Sequence, residues 1–188
     1  IEELDLDSWR HEFEVNVFAC VHLIQRVVPQ MRQRRRGRII NVSSVAGRIS
    51  TPFNGGYAAT KFALEAMNDA LRGELRPFGV HVVSVQPGPV KTNFRDAAAS
   101  ASRAWFQNDA SPYFAGYQGL RASMAASRDR AWDAERVADL AIEAIEDTNP
   151  KAVYAAHGPK FTVSLALKTA APAVLDRILA RRVKWEKR

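Results

Sequence analysis

The sequence predicts an α/β fold built on a parallel sheet, and three observations carry that expectation. Two short β-branched runs, RIINVSS (38–44) and VHVVSVQ (80–86), show almost no polar alternation, which is the pattern of strands buried on both faces. Stretches of helical period lie before, between and after them. The resulting alternation of helix and strand is that of parallel strands joined by crossover helices.

The elements follow in order. Residues 7–33 read as one long helix, with Asp7 or Ser8 as its cap and Glu12 and Glu14 in its first turns. Phe13, Val17, Cys20, Val21, Ile24, Val27, Val28 and Met31 recur at helical spacing, and Gly37 stops the pattern. Strand 38–44 leads into a Gly- and Pro-containing loop (45–56). A second helix covers 57–76 and ends before Pro77 and Gly79. Strand 80–86 is followed by the loop PGPVKT (87–92). Residues 93–133 are rich in Ala and Ser and carry Phe94, Trp105, Phe106, Tyr113, Phe114 and Tyr117, as short helices and loops would. A helix is predicted over 134–147 and a third strand over 151–156. The tail from 161 to 185 is helical in pattern, interrupted at Pro172. Strand 38–44 has one visible neighbour, and an apolar strand left at an edge is an aggregation hazard. The expectation is therefore that more of the sheet lies upstream of Ile1, and a first residue other than methionine points the same way.

Composition narrows the class. A chain of 188 residues with 47% hydrophobic content suits a single domain, 1–188, with a sizeable core. The lone Cys20 cannot form an internal disulfide and fits a reducing cytoplasm. The four histidines show no metal-ligand spacing, so no metal is predicted. The net charge of +7 gathers at RQRRRGR (32–38) and RRVKWEKR (181–188). No aromatic residues interleave the first run, so it reads as a solvated helix end rather than a nucleic-acid platform. In the basic helical tail, 161–188, Val174, Leu175, Ile178 and Leu179 share one side, with Arg177, Arg181, Arg182 and Lys184 elsewhere and Trp185 near the end. Peripheral membrane contact, a subunit contact or a cover over the substrate cleft would each suit it.

The chemistry concentrates at NGGYAATKFALEAM (54–67). Tyr57 and Lys61 stand four apart, on one helix face. A nearby ammonium favours phenolate, and a lowered pKa suits a general acid/base. Ser44 ends a buried strand, and PGPVKT leaves another. The carboxyl ends of parallel strands are where such sheets bind ligands, so these loops would line one crevice. Asn16 is a polar residue inside the apolar stretch FEVNVFAC, either a satisfied buried amide or part of the site.

These pieces together resemble the short-chain dehydrogenase/reductase family. They are NVF with Asn16, GRIINVSSVAG with Ser44, YAATK with Tyr57 and Lys61, and PGPVKT with Pro87, Gly88 and Thr92, in order and at the family's spacing. Within the family, residues 51–82 are most similar to the retinol and 17β-hydroxysteroid dehydrogenases. The resemblance implies the C-terminal portion of a Rossmann-like doubly wound parallel sheet, of about three strands with flanking helices. It implies an NAD(P)-dependent oxidoreductase that interconverts an alcohol and a ketone or aldehyde, with NAD or NADP as cofactor and NADP favoured. Tyr57 would be the general acid/base. Lys61 would lower its pKa and hydrogen-bond the nicotinamide ribose, Ser44 would orient the substrate oxygen, and Asn16 would hold a water linking Lys61 to solvent. Pro87, Gly88, Val90 and Thr92 would contact the nicotinamide. Residues 93–133 fall at the family's substrate loop, so Phe94, Trp105 and Phe106 would face a small apolar substrate or simply pack the lid. A homodimer or homotetramer is the family's usual assembly. The family's glycine-rich turn TGxxxGxG and its NNAG strand end have no counterpart between Ile1 and Arg188. The alternative to an active enzyme is thus an inactive fragment or scaffold without the phosphate site.

Overall fold

The computed structural model describes residues 1–93, 103–127, 131–156 and 159–182. Three parallel strands form one sheet in the order β1 (Gly37–Val42), β2 (Val80–Pro87), β3 (Val153–Ala156). Register runs from Gly37 opposite Val80 to Val42 opposite Val85, and from Ser84 opposite Val153 to Pro87 opposite Ala156.

The predicted first helix is divided. Helix α1 (Leu6–Phe13) is capped by Asp5, not by Asp7 or Ser8. The Asp5 carboxylate accepts from the Ser8 backbone N–H at 2.7 Å and from the Ser8 hydroxyl at 2.8 Å. A π-helical turn, Glu14–Phe18, follows, and α2 (Ala19–Gln33) continues. The interruption falls on Asn16, and π-turns gather at functional sites. Helix α2 ends with Arg35 in the left-handed region at φ 52°, a position glycine usually takes. Gly79, itself at φ 68°, answers it: a Cβ there would stand 2.5 Å from the Arg35 carbonyl.

Strand β2 alternates between two cores. Val80 and Val82 pack with Ile39 and Leu75 under α2 and α3 (Gly55–Leu75). Val83 and Val85 pack on the other face with Tyr154 and with Ala144 of a later helix, Ala134–Glu146. The sheet is thus covered on both faces, as predicted for parallel strands. Arg38 fastens that later helix, donating to the carbonyls of Ala144 at 2.7 Å, Ile145, and Asp147 at 2.8 Å. Part of the basic run is therefore a helix C-terminal cap.

Two strand expectations need correction. β1 ends at Val42, so Ser43 and Ser44 lie beyond it. It is also not buried on both faces: only Ile39 is buried along it, and Val42 is 53% exposed at the sheet edge. β2 meets the expectation, with its residues buried from Val82 to Gln86.

The rest of the described chain forms a cover. Helices α4 (Arg103–Gln107) and α5 (Phe114–Ala126) occupy the aromatic region, and α6 (Ala134–Glu146) leads into β3. Helices α7 (Pro159–Ala170) and α8 (Pro172–Arg182) form the tail, broken at Ala171–Pro172. Leu175 and Leu179 bury against Ile49, while Val174 and Ile178 stay partly exposed. The apolar side of the tail is thus divided between core and surface.

Candidate active site

The site is assembled from the carboxyl ends of β1 and β2 and the first turns of α3. After β1, Ser44 caps a short 3-10 turn, Val45–Gly47, its hydroxyl accepting from the Ala46 N–H at 3.0 Å. Helix α3 begins at Gly55, two residues earlier than the sequence pattern suggests, so both glycines belong to its first turn. Their lack of side chain is used. A Cβ on Gly56 would meet the Glu12 carboxylate at 2.8 Å, and one on Gly55 would meet Ile1 at 2.8 Å.

Tyr57 projects from that turn, close enough to Ser44 for the serine hydroxyl to lower its pKa. Lys61, one turn on, donates to the Val42 carbonyl at 3.2 Å, and its ammonium stands 5.7 Å from the Tyr57 ring centroid. The fold therefore brings Ser44, Tyr57 and Lys61 together. Lys61 holds the end of β1 next to the serine turn.

The electrostatics differ from the expected lowering of the Tyr57 pKa. Burial pushes the phenol above its usual range, the Ser44 hydrogen bond works against that, and the Glu12 charge adds to the rise. Burial also pulls the Lys61 ammonium below the usual lysine range, while Cys20 and Glu65 support its charge. The attraction expected from spacing is thus outweighed by desolvation of both groups.

Asn16 lies in the π-turn, partly buried. The residues four before and four after it act on the pair electrostatically: Glu12 raises the Tyr57 pKa, and Cys20 supports the charge of Lys61. Glu12 keeps one buried carboxylate oxygen without a hydrogen bond, and burial raises its pKa.

The loop after β2 is held from outside. Val90 bridges Trp132; the Lys91 N–H donates to the Trp132 carbonyl, and the Trp132 N–H donates to the Pro89 carbonyl, both at 2.8 Å. Lys91 pairs with Asp133 at 2.9 Å, and the Arg136 guanidinium covers the Trp132 ring at 4.4 Å. Pro87, Gly88 and Val90 are partly buried along this loop, and Thr92 is exposed. Phe94 lies outside the described residues.

The aromatic residues form a cluster rather than a row. Phe106 is buried edge-on to Tyr117 at 6.5 Å, and Trp105 stacks on Tyr117 at 6.4 Å. Phe53 joins them 4.9 Å from Tyr117, holding a left-handed backbone at φ 65° four residues before Tyr57. A non-glycine residue in that region stores strain, which concentrates at functional sites. Beside it opens a cavity of about 340 Å³ lined by Phe53, Gly55, Thr51, Asp176 and Leu179 among others. Sequence reasoning missed Phe53, Glu65 and Trp132, and assigned Glu12 only to a helix start. Glu65 had a usable signal, a carboxylate one turn after Lys61 inside the apolar run FALEAM.

A parallel sheet flanked by helices, with tyrosine, lysine and serine gathered beyond the carboxyl ends of its strands, defines a Rossmann-like α/β protein. The chain belongs to the short-chain dehydrogenase family, whose sequence profile, described as short chain dehydrogenase, matches residues 1–103. It is 32% identical to the NADPH-dependent 3-dehydrocapnine reductase of Ornithobacterium rhinotracheale over 98% of this chain and 65% of that protein. It is 34% identical to human 17-beta-hydroxysteroid dehydrogenase type 1 over 82% of this chain and 47% of that one. The chain thus spans about half to two thirds of these relatives' lengths. A short chain dehydrogenase/reductase from Burkholderia phymatum, solved in complex with NAD, superposes with a TM-score of 0.72 at 27% identity, covering 93% of this chain and 62% of that one.

Proposed function

We propose that this chain carries the proton-transfer half of an NAD(P)-dependent oxidoreductase that interconverts an alcohol with a ketone or aldehyde. The observation that carries the reading is the grouping of Ser44, Tyr57 and Lys61 at the carboxyl end of β1. Tyr57 gives a proton to the substrate oxygen in reduction and takes it back in oxidation. A phenol is protonated at neutral pH, the state reduction needs, and burial raises the Tyr57 pKa rather than lowering it. Ser44, beside Tyr57, orients the same oxygen. Lys61 has three N–H donors, of which the Val42 carbonyl takes one, so a ribose hydroxyl fits its remaining donors. Asn16, between the two residues that act on Tyr57 and Lys61, suits the water-holding role.

The residues present fit the nicotinamide end of a dinucleotide. Lys61, Tyr57 and the loop of Pro87, Gly88, Val90 and Thr92 would hold it, with Trp132 fixing the loop. When bound, the nicotinamide supplies or accepts the hydride. The relative named for NADPH and the neighbour solved with NAD support a nicotinamide dinucleotide. The chain holds no glycine-rich phosphate turn, so the proposal assigns it no part in holding the pyrophosphate.

The substrate is assigned as a small apolar alcohol or carbonyl compound. Phe53 and Leu179 line the cavity beside the start of α3, and Trp105 and Phe106 pack on Tyr117, which meets Phe53. The relative named as a 17-beta-hydroxysteroid dehydrogenase supports the same class. The exposed apolar side chains of Val15, Phe18 and Leu23 suit a homo-oligomer contact, and a cytoplasmic location accords with the single thiol. No helix among the described residues is long and apolar enough to cross a membrane. The test is oxidation of NADH or NADPH by the chain with steroid and long-chain ketones, followed by nicotinamide absorbance. Turnover with an apolar ketone supports the proposal. Nicotinamide binding without turnover on any ketone overturns it in favour of the scaffold reading.

A further inference from the structure

Glu65 is a charged residue in the core. It is 5% exposed on α3, one turn beyond Lys61. One carboxylate oxygen accepts from the Ser84 hydroxyl at 2.7 Å and the other from the Gln86 side-chain amide at 2.8 Å. Ser84 and Gln86 are themselves buried, at 0% and 3% exposure, on the face of β2 that looks at α3. Gln86 is followed directly by Pro87 and the loop assigned to the nicotinamide. The stem of Glu65 meets a third segment. A Cβ on Gly47, in the turn capped by Ser44, would stand 2.9 Å from the Glu65 Cγ and 2.8 Å from the Lys61 carbonyl.

Burying a carboxylate is costly unless its lone pairs are satisfied, and an apolar side chain would pack a helix on a strand at lower cost. What this carboxylate adds is geometry. It is hydrogen-bonded to the strand end that leads into the Pro87–Thr92 loop, stands on the second segment and is packed against the third. We propose that Glu65 is a positioning residue whose carboxylate fixes the Ser44 turn, the Tyr57–Lys61 helix and the Pro87–Thr92 loop relative to one another. The inference rests on the reading of those three segments as one site.

Hydrogen exchange on the whole chain reads the coupling without needing turnover. The amides to follow are Gly47, which bonds to the Ser44 carbonyl, and Lys91, which bonds to Trp132. Glu65→Leu removes both acceptors. It is expected to speed exchange at both amides at least about tenfold relative to Leu75→Ala, a control that destabilises the core at the far end of α3. Glu65→Gln keeps an acceptor for Ser84 and can pair with a turned Gln86 amide, so exchange should return to within about threefold of wild type. Ser84→Ala, which removes one bond only, gives an intermediate result and serves if Glu65→Leu does not fold. Where wild type turns over, Glu65→Leu lowers kcat and raises the cofactor KM, while Glu65→Gln restores both. Equal exchange at Gly47 and Lys91 in Glu65→Leu (or Ser84→Ala) and the control would overturn the proposal. Turnover that survives Tyr57→Phe would sink the functional reading while leaving the exchange result standing.

Discussion

The β2–α3 unit and the cover that follows it are held together in different ways. In β2–α3, Leu64 is 1% exposed and Val83 and Val85 are at 1% or below, and a buried carboxylate joins helix to strand. In the cover, a cluster of aromatic rings meets Phe53, and Leu175 and Leu179 anchor the tail on Ile49. Hydrogen bonds from Ser111 and Tyr117 to the Glu3 carboxylate, both at 2.6 Å, tie the aromatic region to the start of the chain. Tyr57 and Lys61, the residues proposed for proton transfer, stand on the unit with directional buried bonds. The aromatic residues proposed for the substrate stand on the cover, which ring contacts and the two Glu3 hydrogen bonds hold. On that proposal, chemistry is built on the buried, hydrogen-bonded part and selectivity on the part that aromatic packing dominates.

Breaking each part separately sharpens the contrast. Leu64→Ala should cost about 2–5 kcal/mol of stability, read by chemical denaturation, and should lower turnover with it, because the cavity opens beneath the catalytic helix. Gly47→Ala must push back the Lys61 backbone or the Glu65 stem. A cost of about 1–3 kcal/mol is expected, with a fall in kcat at an unchanged substrate KM. Leu175→Ala should cost about 2 kcal/mol and act in reverse, raising the substrate KM while leaving the cofactor KM alone. If Leu175→Ala and Gly47→Ala moved the same kinetic constant, the division of labour would be wrong.

The smallest effect concerns pH. Burial raises the Glu12 carboxyl pKa in the folded chain. The folded state therefore holds that proton more tightly than the unfolded one. The stabilisation is complete below the unfolded carboxyl range of about 4.3 and is lost as pH rises through the folded value. Glu12→Gln is expected to raise Tm by about 2 °C at neutral pH and to change it little near pH 4. A lower Tm at neutral pH would mean that the charged carboxylate is favourable where it stands.

Much of this was legible from residue order. The apolar run of β2 announced a strand covered on both faces, and the spacing of Tyr57 and Lys61 announced a shared helix face. Other features depend on distance in space. β1 carries the same apolar pattern as β2, yet an edge position leaves Val42 half exposed, and no local pattern reports how many neighbours a strand has. The π-turn at Asn16 was hidden because its apolar spacing still fits a regular helix. The sign of the Tyr57 shift depended on desolvation, which only the packed structure reveals. Glu65 meets its partners 19 and 21 residues further along the chain, and its proximity to Lys61 did not disclose them.

The central claim is that Tyr57 moves the proton at this site. Its most direct test is the turnover of Tyr57→Phe against wild type under single-turnover conditions, with nicotinamide binding measured alongside. The account predicts a loss of about 10²–10⁴-fold in rate, with cofactor affinity within about threefold of wild type. A Tyr57→Phe chain that turns over at the wild-type rate would contradict it.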